Sequence, residues 1–280
     1  MIVATSLALG AAVLHAIWNL MVKTAPAGDH ALSSWGIFVA GGIVVLPFVV
    51  LSGGPGVVTV PWLALSAVVH IGYISGLVGA YRHGDFSLAY PLARGSGATL
   101  AAIGAGVFMG DRLPGPAWVA IAVVALGLLG LVGGSVPTIA VRHGLATGLT
   151  IAAYTLADAQ GARVSPNPIA YGLVTTSCAA VTITLLHVVR GRGRLFLEAA
   201  PVRWPRWAIG GTFNAVAYAM VMVATRYAEV GYVAMLRESS VVIAAFIGWR
   251  FLKEPLGGRR LVASAVVLVG LVGLVLARSL

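Results

Sequence analysis

Leu92-Ala93-Arg94-Gly95-Ser96 is followed by an apolar run and then by Gly110-Asp111-Arg112-Leu113. The second half of the chain answers with Leu236-Arg237-Glu238-Ser239-Ser240, another apolar run, and Lys253-Glu254-Pro255-Leu256. Arg94 and Arg237 stand 143 residues apart, and so do Asp111 and Glu254, Gly127 and Gly270, and Gly130 and Gly273. A hydrophobic unit used twice, with an arginine at the same place in each copy, is a building plan of many secondary transporters. An arginine inside an apolar run is costly, on the order of 2.5–3.5 kcal/mol on insertion scales, so it is by default a functional hypothesis.

Outward from these two runs the whole chain is apolar. Its 280 residues are 59% hydrophobic and 9% charged, with a mean hydropathy of +0.97. A soluble domain carries roughly 25% charged residues, so the bilayer must be the solvent here. A hydrocarbon core takes roughly 20 apolar residues per helix, which predicts about ten spans. They are expected at 3–22, 31–51, 62–81, 86–109 and 115–134, then 144–162, 169–189, 205–226, 230–251 and 260–277. The predicted fold is an all-α integral membrane protein, with residues 1–139 and 140–280 as two five-helix repeats. An odd number of spans per repeat makes the second copy enter from the other side, giving a five-plus-five inverted-topology repeat with its pseudo-two-fold axis in the membrane plane.

The first span lacks the basic start and the A-x-A site of a cleaved signal peptide. A lone Cys178 cannot form an internal disulfide and reads as packing. The net charge of +10 does not make a nucleic-acid footprint, because the basic residues flank spans instead of covering one face. Twelve basic residues, from Lys23 to Arg260, fall in the odd-numbered loops, against Arg112, Arg163, Arg226 and Arg278 on the opposite side. That bias places both termini away from the cytoplasm. Sixteen arginines against two lysines fit a GC-rich bacterial genome, and hence a bacterial inner (plasma) membrane.

Under the inverted repeat, Arg94 and Arg237 approach one central cavity from opposite leaflets, as candidate substrate or gating residues. The structural alternative stays open at this point: either arginine can pair with Glu238, Asp158 or Asp85 and lock two helices. Pro91 beside Tyr90 is expected to kink or break the fourth span and so to expose backbone along a wet path, unless it is a packing kink. His15, Trp18 and Asn19 share a helical face, and Tyr154 and Asp158 occupy the corresponding face of the sixth span. Asn214 and Tyr218, four apart, are further pocket candidates. Glu238 and Asp158 are the acids best placed to carry a coupling proton. Asp85 and Glu229 read as helix N-caps. Trp62, Tyr81, Trp204, Trp207 and Tyr227 read as interface anchors, and Gly72/Gly76/Ala80, Gly106/Gly110, Gly130/Gly134 and Gly144/Gly148 as helix-packing pairs.

His15-Ala16-Ile17-Trp18-Asn19, the stretch from Tyr81 through Tyr90-Pro91 to Arg94-Gly95, and the two second-half motifs together resemble the EamA-like branch of the drug/metabolite transporter superfamily. The resemblance covers essentially the whole chain. It implies ten transmembrane helices, a five-plus-five duplication and a central cavity. Members move amino acids, nucleosides, sugars, cationic drugs and related metabolites, and one similar group is associated with phosphonate use. The family habit of cytoplasmic termini runs against the charge bias. The function expected is a secondary transporter (permease or exporter) of a small polar metabolite by alternating access, without a cofactor or metal. The alternative is a lipid-headgroup or lipid-linked sugar flippase component of the same architecture. Enzyme activity is disfavoured: H-E-x-x-H and G-x-S-x-G are absent, and His83-Gly84-Asp85 is explained by a turn and cap. A channel would need a filter loop or a ring of charges, and neither is seen.

Overall fold

The computed structural model describes residues 1–26, 29–83, 86–130, 137–252 and 258–277. Asp85, Gly134, residues 253–256 and Arg278 lie outside the described residues, as do the side chains of Tyr81, Arg82, His83, Tyr90, Pro91, Arg259 and Arg260. Among the described residues there are eleven α-helices and no strand. In chain order they are α1 (Ile2–Lys23), α2 (His30–Leu51), α3 (Val60–His83), α4 (Phe86–Phe108), α5 (Gly115–Gly130), α6 (Thr138–Val164), α7 (Pro168–Val189), α8 (Gly193–Ala224), α9 (Val230–Arg237), α10 (Ser239–Leu252) and α11 (Gly258–Ala277). Helices α9 and α10 are separated by Glu238 alone, so the chain forms ten rods.

Hydropathy decides which segments become helices, because a backbone in hydrocarbon must satisfy its own polar groups. Helices α1, α2, α7 and α8 are each long and apolar enough to cross a bilayer. Large apolar side chains also face outward, with Leu51, Phe108 and Val189 each more than 80% exposed. That surface is wrong for water and right for lipid. Two expected starts move. Helix α6 begins at Thr138, and α8 begins at Gly193 and runs through Pro201 and Pro205 for 32 residues. At 1.5 Å per residue α8 is about 48 Å long, more than the roughly 30 Å hydrocarbon core. Its first turns, carrying the exposed Arg194–Glu198 pair, therefore extend the rod past the apolar region.

The expected break also moves. Helix α4 runs from Phe86 to Phe108 through Tyr90 and Pro91 without interruption. Proline there removes the donor that would bond Ser87 O, and the helix continues past it. The interruption falls instead in the ninth rod. The N–H of Glu238 donates to Met235 O at 3.0 Å, and the N–H of Val241 donates to Glu238 O at 3.0 Å. Both bonds span three residues, a tightened turn of the kind that marks hinges inside helices.

Nearly every helix finds its main partners in the other half of the chain, and the partners exchange. Helix α3 packs on α6 and α8 on α1; α4 packs on α6, and α9 with α10 on α1; α2 packs on α8, and α7 on α3. Helix α5 crosses α11 reciprocally. A Cβ on Gly127 would lie 2.9 Å from Val267 N, and a Cβ on Gly270 would lie 2.9 Å from Val124 N. Both glycines are therefore required by backbone approach. Trp207, expected at the membrane interface, is instead 1% exposed. Its ring fills the space beside Gly36 and stacks on Phe196 at 5.2 Å.

The bundle has two ends. Thr5 Oγ1 and Tyr232 OH meet at 2.7 Å, which puts the N-terminus beside the start of α9. At the opposite end Arg203 donates to Asp29 Oδ2 at 2.6 Å and Arg206 to Met21 O at 2.9 Å.

Candidate functional site

Arg94 and Arg237 line one small cavity inside the bundle. Arg94, on α4, donates from Nε to Glu238 Oε2 at 3.1 Å and from Nη2 to Glu238 Oε1 at 2.5 Å. This is a two-pronged pair with side chains only 8% and 4% exposed, and it ties α4 to the break between α9 and α10. Arg237 is the residue just before that break. It is 9% exposed and holds its guanidinium carbon 6.0 Å from the centroid of the Tyr218 ring. Among the described residues no hydrogen bond or ion pair to its guanidinium is found. Arg94, Arg237, Glu238, Thr155, Thr225 and Val230 help to line a cavity of about 20 Å³, room for about one water. His15 lies within electrostatic reach of both arginines. Just past the break, the hydroxyls of Ser239 and Ser240 are buried without a hydrogen-bond partner. Two unfilled hydroxyls, and a guanidinium met by a ring face but by no carboxylate among the described residues, are the kind of exception that calls for an explanation.

Tyr218 connects this centre to a second one. Its ring carries Arg237, and its hydroxyl donates to Asp158 Oδ2. Asp158, on α6, is fully buried and also accepts from Ser66 at 3.0 Å and from Tyr171 at 3.1 Å. Three hydroxyl donors from α3, α7 and α8 thus satisfy one carboxylate, which is what a buried acid needs. His70, one turn after Ser66, meets Ser66 O at 2.8 Å. It stacks on Tyr154 at 4.4 Å, with Tyr73 edge-on to Tyr154 at 5.7 Å. The polar path therefore runs Arg94–Glu238, Arg237, Tyr218, Asp158, Ser66, His70 and Tyr154.

The N-terminal end of the bundle is held by Asp111, in the loop after α4. Its oxygens accept from Arg163 Nη1 at 2.8 Å and Nη2 at 3.0 Å, and from the N–H of Val230, the first residue of α9, at 2.7 Å. Arg163 Nε donates to Thr225 O at 3.0 Å. Glu229 holds the N-cap position of α9 without capping it by its own side chain; Asp111 supplies that bond.

A protein known from its crystal structure shares this fold. It aligns with a TM-score of 0.77, covering 99% of this chain and 98% of its own, at 17% sequence identity. No curated protein matches the sequence. Residues 139–276, from the start of α6 to the end of α11, match the EamA-like transporter family. By that second half the chain belongs to the EamA-like transporter family. It is accordingly a multi-pass membrane protein of a transporter family.

The EamA-like chain distributes the expected residues unevenly. Arg94, Arg237, Glu238, Asp158, Tyr218 and Tyr154 lie along the polar path, with His15 within electrostatic reach of the arginines. Trp18 touches His15, its indole N–H donating to Nδ1 at 3.2 Å. It is otherwise buried among Phe38, Ile37 and Trp207 on the α2/α8 side. Asn19 spends its amide on His15 O at 2.8 Å, within its own helix. Asn214 is 8% exposed, one turn before Tyr218. Sequence reasoning assigned no role to Ser66, Tyr171 or Arg163. Asp111 had a signal, its 143-residue relation to Glu254, but a spacing does not say which donors an acid will meet.

Proposed function

We propose that this EamA-like protein is a secondary transporter of a small polar metabolite bearing an anionic group, working by alternating access around the Arg94–Glu238–Arg237 centre. Arg237 carries the proposal. A buried guanidinium without a carboxylate costs several kcal/mol, and an incoming carboxylate, phosphate or phosphonate would remove that cost with two parallel N–H···O bonds. The reciprocal α5/α11 crossing and the exchange of packing partners support an inverted-topology repeat, with the site near its pseudo-two-fold axis. The 20 Å³ cavity is too small for any metabolite, so binding requires the halves of the bundle to part. Because each half packs mainly on the other, the moving bodies are bundles drawn from both repeats. The turn at Glu238 is the proposed hinge, and Asp158 or Glu238 the carrier of a coupling proton.

The test is a thermal-shift screen in detergent with amino acids, nucleosides, sugars, phosphonates and organic cations, run on wild type and on Arg237→Ala. A ligand at a hundred times its dissociation constant adds roughly 2.7 kcal/mol. An anionic class that stabilises wild type but not Arg237→Ala is the expected result. Equal stabilisation of both proteins would remove Arg237 from the site. A lipid headgroup as cargo would use the same architecture, and stabilisation by lipids alone would favour that reading.

A further inference from the structure

A second cavity, of about 500 Å³, opens at the N-terminal end, with Asp111, Arg112, Arg163, Thr225, Arg226 and Glu229 in its lining. That end of the bundle is poor in basic residues: the sequence gives it Arg112, Arg163, Arg226 and Arg278, and three of these four line this one vestibule. Their availability differs. Arg163 is committed to Asp111 and to Thr225 O. Arg226 donates from Nη1 to Ser165 O at 3.2 Å and keeps most of its five N–H donors. Arg112 is exposed, and among the described residues no hydrogen bond or ion pair to it is found. With Asp111 already held by Arg163 and by the N–H of Val230, Glu229 is the other carboxylate of the lining, so three guanidiniums face two carboxylates and the vestibule keeps a net positive charge for an arriving anion.

The vestibule is also the antechamber of the inner cavity. Thr225 lines both, and it is 2% exposed between them. Val230 lines the inner cavity and donates its N–H to Asp111, which lines the outer one. The two cavities thus meet at Thr225, and the Asp111–Arg163 pair is bonded to both Thr225 and Val230 at that junction.

We propose that the vestibule is a second, outer oxyanion site, in which Arg112 and Arg226 take a carboxylate-, phosphate- or phosphonate-type group beside the Asp111–Arg163 pair. Its role as a staging point for the solute rests on the transporter reading above; the site itself does not. Two sources share this chemistry, a soluble anion and the phosphodiester of a lipid headgroup.

Inorganic phosphate is titrated by calorimetry into the detergent-purified full chain at low ionic strength. The proteins are wild type, Arg112→Ala/Arg226→Ala, the charge-keeping Arg112→Lys/Arg226→Lys, and Arg237→Ala. The outer double alanine variant is expected to weaken phosphate binding at least tenfold, the lysine variant to restore part of it, and Arg237→Ala to leave the outer event in place. Raising the salt to physiological strength should weaken the outer event, because exposed charges are screened beyond about 8 Å. In a parallel arm, nanodiscs of phosphatidylglycerol or phosphatidylcholine are examined by native mass spectrometry. Phosphatidylglycerol retained by wild type and lost in the double alanine variant supports the site with lipid as its source. If neither phosphate nor phosphatidylglycerol distinguishes the folded double alanine variant from wild type, the outer site does not exist. The inner site is then still judged by Arg237→Ala alone.

Discussion

Removing Glu238 and removing Arg94 should have unequal consequences, although they break the same ion pair. In Glu238→Ala, Arg94 and Arg237 remain as two buried cations lining one 20 Å³ cavity, and Arg94 loses its two-pronged carboxylate partner. Stranding one member of a buried pair costs about 3–5 kcal/mol. At about 2–4 °C per kcal/mol for a chain approaching this size, the melting temperature should fall by ~6–20 °C. In Arg94→Ala the stranded group is Glu238, and Arg237 lines the same cavity, free to take it over. The loss should then be about 1–3 kcal/mol, the cost of an imperfectly replaced hydrogen-bonded charge. Arg94→Ala/Glu238→Ala removes both members of the two-pronged pair, so it should be more stable than Glu238→Ala alone. Thermal unfolding in detergent, followed by the fluorescence of the seven tryptophans, measures all three. If the two single losses are equal and add within about 0.5 kcal/mol in the double variant, the Arg94–Glu238 pair is not energetically coupled and the argument for Arg237 as the spare cation fails with it.

Gly127→Ala and Gly270→Ala should each destabilise by roughly 1–3 kcal/mol and by similar amounts, because each new Cβ meets the backbone nitrogen of the facing helix; melting curves that differ widely would contradict a reciprocal crossing. Tyr218→Phe keeps the ring under Arg237 but takes one of three donors from Asp158, so stability should drop by about 1.5–3 kcal/mol while solute binding persists. Binding lost with stability intact would put the Tyr218 hydroxyl on the solute. Asp111→Ala strands Arg163 and uncaps α9; in a Cys178→Ser background carrying Thr225→Cys, maleimide labelling from the aqueous side should accelerate at least tenfold, since wild-type Thr225 is 2% exposed. Unchanged labelling would show that the pair does not shield Thr225.

The helices were legible because hydropathy is a property of the segment itself. The positions and types of all ten rods follow from the run lengths, with errors only where polar turns extend α6 and α8 beyond the hydrocarbon. What connects the helices was not legible. Of the described acids, sequence offered Arg94 both Glu238 and Asp158, and nothing local chooses between them; the choice is made by a contact between α4 and the α9/α10 break, 144 residues away. Asp158 stood out as an acid in an apolar run, yet its donors Ser66 and Tyr171 look like ordinary span residues until α3 and α7 close around it. The break was misplaced for a related reason. A proline announces itself in sequence, yet α4 stays helical through Pro91, whereas the turn at Glu238 has no local signature and stands beside the ion pair and the packing of α9.

The reciprocal crossing of α5 and α11 bears on how such a chain is made. Helix α5 is complete at Gly130 and its partner only at Ala277, so at about 5–20 residues per second roughly 7–30 s of translation separate them. During that time the bare glycine face of α5 is turned to lipid or to the insertion machinery, and α1 waits likewise for α8. The ribosome must therefore deliver nearly the whole polypeptide before the first helix to be inserted acquires its final neighbours. A chain truncated before α11 would be a quality-control substrate, not a smaller transporter.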